Sequence, residues 1–209
     1  MPDASLGGWN SAAAIGRSRL WAMAFLCPMN NKTSGNKTWL SFSQWKFVQS
    51  SVPIVCVDVL PVRFSRASPD TIRAIGLILR DTPHQGRKWC LVGGRLLYGE
   101  SLREAIVRQV TETLGSDMRL RLGRDPKPLT VIQYSPMNVA PFVLDPRQHA
   151  VSLTYALQLT GSPKPQGEAV AYKWFDVRSL PAAEECGFGH HGVAASCLRR
   201  WRSAKPSKS

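Results

Sequence analysis

Gly93-Gly94-Arg95-Leu96-Leu97-Tyr98-Gly99-Glu100-Ser101-Leu102-Arg103-Glu104-Ala105-Ile106-Val107-Arg108-Gln109-Val110-Thr111-Glu112-Thr113-Leu114-Gly115 is a glycine-rich loop running into a helix. Ser101 is the expected N-cap. Leu102, Ala105, Ile106, Val110 and Leu114 recur at helical spacing and form a stripe to be buried. Gly115 is the expected stop. Opposite the stripe, Glu104, Arg108 and Glu112 follow one another at i, i+4 and i+8 on one polar face. A carboxylate in such a row can hold a hard cation such as Mg²⁺, which bridges and neutralises diphosphate oxygens. The glycines let the backbone approach metal and phosphate closely.

Outward from this segment, strands alternate with few helices. Ser41 caps a short helix whose apolar side carries Phe42, Trp45, Phe47 and Val48. Val52–Val62 and Ile72–Leu79 are dense in β-branched residues and predict strands, followed by a turn over Thr82–Lys88 and a short strand Trp89–Val92 that Gly93 and Gly94 stop. Beyond Gly115, Leu129–Tyr134, Ala150–Leu159 and Ala169–Phe175 predict further strands, with an irregular loop Pro136–Pro146 and a closing helix His191–Trp201. This order implies an α/β (α+β) domain, a mixed sheet packed by helices, over residues 39–202. Residues 1–38 show no sustained period and read as a disordered extension; residues 203–209 read as a basic tail.

The loop and helix resemble the Nudix box: glycine, five residues, glutamate, seven residues, then Arg-Glu-apolar-x-Glu-Glu-x-Gly. Gly94, Glu100, Arg108, Val110, Glu112 and Gly115 fall in register, and Trp174-Phe-Asp-Val-Arg-Ser-Leu-Pro181 is similar to a segment that follows the last strand in that superfamily. The resemblance spans about Trp39 to Trp201 and implies the Nudix α/β/α sandwich. It implies a Mg²⁺-dependent hydrolase (Mn²⁺ as the alternative ion) of a nucleoside diphosphate linked to another moiety, such as a nucleotide sugar. By the same resemblance Gly94 and Glu112 are metal ligands, Glu112 and Arg108 catalytic, and Glu100 a partner of Arg108. Arg95 would contact phosphate and Tyr98 stack on a base. Gln109 and Thr113 stand where the family carries glutamates, so of three metal-facing carboxylates only Glu112 remains. GDP-mannose mannosyl hydrolases also have an altered box and use a histidine; Arg63, Arg95 and Arg108 with His149 as base would imitate them, although that group keeps its helix carboxylate at the position of Thr113. Asp58, Asp145 and Glu168 are further acids that could complete a coordination shell. A homodimer is an expectation by analogy alone.

Composition narrows the classes. The 209 residues are 44% hydrophobic and 20% charged, which suits a globular chain. Lys and Arg number 27 against 14 acids, for a net charge of +13, concentrated partly in the tails. A basic balance suits an anionic small molecule; nucleic acid is the weaker expectation because no binding motif accompanies the charge. None of the five cysteines forms a C-x-x-C pair, and reduced thiols in a cytoplasmic protein are expected. Cys186, His190, His191 and Cys197 cluster without a zinc spacing, so packing is their expected role. No apolar run is long enough to span a bilayer, and Leu20–Cys27 is short for a signal peptide. The alternative to a hydrolase is a catalytically silent Nudix-like module that senses a nucleotide or docks a partner.

Overall fold

The structure, a computed structural model, describes residues 40–203. The expected extension 1–38, the start at Trp39, Leu20–Cys27 and the tail beyond Ser203 lie outside the described residues. All elements described fall in the unit Ser41–Ser209.

Two long parallel strands organise the sheet. β1 (Ile54–Phe64) and β8 (Ala150–Thr160) run side by side from Ile54↔Ala150 to Val62↔Gln158. Such a central pair is covered on both faces, which is why β1 is apolar almost throughout rather than alternating. β2 (Ile72–Thr82) flanks β1 antiparallel and is extended by β3 (Gly86–Cys90) on one side and β9 (Ala169–Asp176) on the other. β4 (Val92–Arg95) pairs with the first half of β1, β6 (Thr130–Ser135) with the first half of β8, and the two-residue β5 (Arg119–Leu120) with its end. β7 (Val143–Leu144) closes the edge beside β6.

Helices cover both faces. α2 (Leu102–Leu114) buries Ala105, Ile106, Val110 and Leu114 with Val57, Val59 and Tyr155, while α3 (His190–Ser203) buries Val193, Ala194, Cys197 and Leu198 with Leu60, Val62 and Ile75. The expected α/β/α sandwich with a mixed sheet is the observed architecture. α1 (Phe42–Ser51) is capped by Ser41, yet its apolar side is only half used: Trp45 and Val48 pack on the core, whereas Phe42 and Phe47 are exposed.

Two readings are corrected. The strand expected over Trp89–Val92 is divided at Leu91, and Gly93 and Gly94 do not stop it but form the middle of β4. Lacking Cβ atoms, they fit where side chains from β1 and α2 already fill the space. The loop Pro136–Pro146 contributes β7, a pairing set by its neighbour β6 rather than by its own composition. The described cysteines are free thiols, and no described helix is long and apolar enough to cross a membrane.

Candidate functional site

The loop between β4 and α2 is fastened by one arginine. Arg108 donates to Glu100 through Nε at 2.7 Å and Nη2 at 2.9 Å, and to the carbonyl of Arg95 at 3.0 Å. Glu100, its side chain almost fully buried, also accepts from the amide of Leu97 at 3.0 Å. Ser101 and Glu104 form a reciprocal capping box, so Glu104 is committed to the helix start. With its carboxamide oriented to satisfy both neighbours, Gln109 donates to the carbonyl of Gly93 at 3.3 Å and accepts from Arg108 Nη1 at 3.0 Å. A Cβ at Gly94 would lie 2.6 Å from that carboxamide, and one at Gly93 would fall on the Asp58 carboxylate. The two glycines are thus wedged between α2 and β1.

Beside them opens a cleft of about 290 Å³. Its charged lining is Asp58, Arg80, Arg95, Asp145, Arg147 and Glu168, with Trp45, Phe188 and His190 between them. Arg80 pairs with Glu168 at 2.7 Å, and Arg147 grips Asp145 through two bonds. Both guanidiniums lie against Phe188, 5.9 and 4.3 Å from its centroid, and Arg95 lies 4.3 Å over Trp45. Burial raises the Asp58 carboxyl to about 6 against the opposing hydrogen bond from Ser152. Burial also raises Glu168, although Arg80 pulls it down. Burial, then Arg80 and Arg147, push the His190 imidazole down to about 3. Its Nδ1 accepts from the Leu91 amide at 3.0 Å, which puts the proton of the neutral ring on Nε2.

The sequence is matched over residues 35–189 by a family described as a domain of unknown function, DUF4916. The chain belongs to that family. No curated protein matches it. Among solved structures, the DUF4916 chain is similar to a Jonesia denitrificans protein named a possible asymmetric diadenosine tetraphosphate hydrolase. The two share 28% identity and a TM-score of 0.64 over 75% of this chain and 99% of that one. A MutT Nudix hydrolase from Burkholderia pseudomallei matches at 22% identity and TM-score 0.53, covering 72% and 98% of the two chains. A Nudix hydrolase from Nitrosomonas europaea matches at 17% and 0.52, covering 74% of each. The fold is that of the Nudix hydrolases.

Within the DUF4916 domain the residues expected from sequence do not all meet. Gly94 and Arg95 line the cleft. Arg108 binds the loop rather than the cleft. Glu112 is paired with Arg108 Nη1 at 3.1 Å, its side chain 60% exposed. Tyr98 is wholly exposed. His149 lies beside the cleft with Nε2 buried and without a hydrogen-bond partner, its ring edge-on to Phe142. Arg63 stands roughly 16 Å further along β1 from Asp58, over the ring of Trp174. Sequence reasoning missed Arg80, Arg147, Phe188 and His190 as cleft residues. Their one local signal is Gly187-Phe-Gly-His190, in which Phe188 takes a left-handed φ of 53°.

These donors do not fit a resident Mg²⁺ on α2. The α2 side chain turned toward the glycine pair is Gln109, Thr113 is buried and neutral, and Glu112 is engaged by Arg108. In the cleft, Asp145 and Glu168 are each held by an arginine, and no group of three or more His, Cys, Asp or Glu suited to a metal exists among the described residues.

Proposed function

We propose that this domain hydrolyses a nucleoside diphosphate linked to another moiety, a nucleotide sugar being the first class to try, in the cleft beneath Gly93 and Gly94. The observation that carries the reading is the convergence of Arg80, Arg95 and Arg147 on one small cavity beside the glycine loop, with Glu168 in the same wall. The guanidiniums suit phosphate oxygens and the charge that develops on them. Glu168, raised by burial, is suited to take a proton from water as the water oxygen bonds to phosphorus. The phosphorus–oxygen bond to the leaving group then breaks, and that group takes up a proton. Any divalent cation enters as part of the substrate's phosphate complex.

The test is a panel of nucleotide sugars, ADP-ribose and dinucleoside polyphosphates with Mg²⁺ or Mn²⁺, products being separated chromatographically. Wild type turns over at least one compound, and Glu168→Gln lowers that rate about 10²-fold or more. Glu112→Gln leaves it within a few-fold, because that side chain faces solvent. Collapse in Glu112→Gln alone would move the chemistry to α2 and remove Glu168 from it.

A second reading, a silent module that binds a nucleotide without cleaving it, is favoured by one observation: the neutral carboxamide of Gln109 is the group that α2 puts against the glycines. It predicts a thermal shift with a panel compound and no product from any of them.

A further inference from the structure

At the opposite end of the β1–β8 pair lies a groove of about 1380 Å³, lined by Arg63, Arg66, Arg73 and Arg121 against a single acid, Asp70. All four arginines are exposed, and none makes an ion pair among the described residues. They are ordered by the sheet. The Arg121 amide bonds to the carbonyl of Gln158 in β8, Gln158 is level with Val62 in β1, and Arg63 is paired with Ala74, next to Arg73, in β2. The row therefore crosses three strand spacings, about 15 Å. Its wall includes the rings of Phe64 and Trp201, 5.6 Å apart. The adjoining depression is mixed in charge, with Arg73, Arg178 and Arg202 alongside Asp70 and Asp176, so the basic character is greatest in the groove itself.

Arg63 is packed on Trp174, but Arg66, Arg73 and Arg121 stand in the groove with a single acid and add repulsion without an ion pair in return, so the pattern points to a polyanion. The shape selects among polyanions. A concave groove does not meet a flat bilayer, and none of its residues lies on a protruding helix or ribbon that could enter a duplex groove. Guanidiniums spaced along a channel with aromatic faces in its wall fit a flexible strand, phosphates on the arginines and bases on the rings. An acidic peptide would use the charge and leave the rings idle. We propose that this groove binds single-stranded nucleic acid, separately from the glycine cleft.

The experiment is fluorescence anisotropy of the full chain with labelled U12 and dT12 between 50 and 200 mM KCl. Both oligonucleotides should bind, more weakly as salt rises, and a preference for one identifies the natural sugar. Arg66→Gln/Arg73→Gln/Arg121→Gln, all on exposed side chains, should weaken binding at least ~10-fold. It should also make the log–log salt slope shallower by about 2, at roughly 0.7 per phosphate contact in a single strand. Circular dichroism melts check that the variant is folded. Lys205→Gln/Lys208→Gln should change affinity less than about two-fold, and an unlabelled duplex of the same length should compete poorly. Equal affinity of wild type and the triple-arginine variant, loss confined to the tail variant, or equal competition by the duplex or by an oligoglutamate peptide would overturn the assignment.

Discussion

A methyl group at position 94 has nowhere to go, because the carboxamide of Gln109 lies 2.6 Å from where it would sit and is held by Gly93 and Arg108. Gly94→Ala should therefore cost about 1–3 kcal/mol in urea unfolding, and Gly94→Ala/Gln109→Ala should recover much of that loss. Additive losses in the double variant would show that the wedge is not the cause. Asp58 makes a pH prediction. Its carboxyl is raised from 3.8 to about 6, chiefly by burial, so the folded state keeps a proton that the unfolded chain has released. Stability consequently falls as pH rises from about 4 to about 6, and a cost on the order of 3 kcal/mol is complete above that range. Asp58→Asn removes the titration and should raise the melting temperature relative to wild type at pH 7 but not at pH 4. His190 acts in the opposite sense. It stays neutral down to about 3 while the unfolded chain protonates below its ordinary 6.5, so its contribution is lost on acidification; it is common to both proteins and drops out of the comparison. A melting difference that does not change with pH would refute the Asp58 account.

Among the elements, α2 was legible and β4 was not, and the contrast has a physical source. The cap Ser101, the buried stripe and Gly115 are all local to the helix, and the structure has each of them in place, whereas Glu104, read as part of the polar row, closes the capping box with Ser101 instead. The role of Gly93 and Gly94 is fixed by Asp58 and Gln109, which reach them from other elements, so no local pattern could reveal it. β5 and β7, two residues each, exist only through their pairing with β8 and β6. The same distinction ranks two variants of α2. Ser101→Ala removes a solvent-facing cap and should cost about 1 kcal/mol. Arg108→Met removes the bonds that tie the nearly inaccessible Glu100 and the Arg95 carbonyl to α2, and should cost about 3–5 kcal/mol. Thermal melts of the two proteins check the order; a smaller loss for Arg108→Met than for Ser101→Ala would mean that the Glu100 pair does not hold the loop.

Over the whole molecule, the sequence motif marked one rim of the cleft, while the opposite wall comes from Arg80, Arg147, Glu168, Phe188 and His190, scattered over more than 100 positions of the chain. Those residues converge through long-range pairings that no short window of sequence contains: β1 with β8, which brings Arg147 and Asp145 up to Asp58, β2 with β9, which sets Glu168 beside Arg80, and the bonds of Gly187 and His190 to Trp89 and Leu91. The β1–β8 pair also gives the domain its two cores, since Val57 and Val59 point to α2 whereas Leu60 and Val62 point to α3. A sheet shared in this way couples the helices: neither face can open without exposing a strand on which the other depends. Leu114→Ala in the α2 core and Leu198→Ala in the α3 core should each lower stability by about 2–5 kcal/mol. Both variants should keep a single transition at which tryptophan fluorescence and far-ultraviolet circular dichroism coincide, and the losses should add in the double variant because the two leucines lie in different core clusters. Separation of the two signals in Leu198→Ala alone would mean that α3 unfolds independently. In that event His190, which begins α3 and accepts from the Leu91 amide, would leave the cleft with it, and ligand binding there would weaken at temperatures where α2 is still folded.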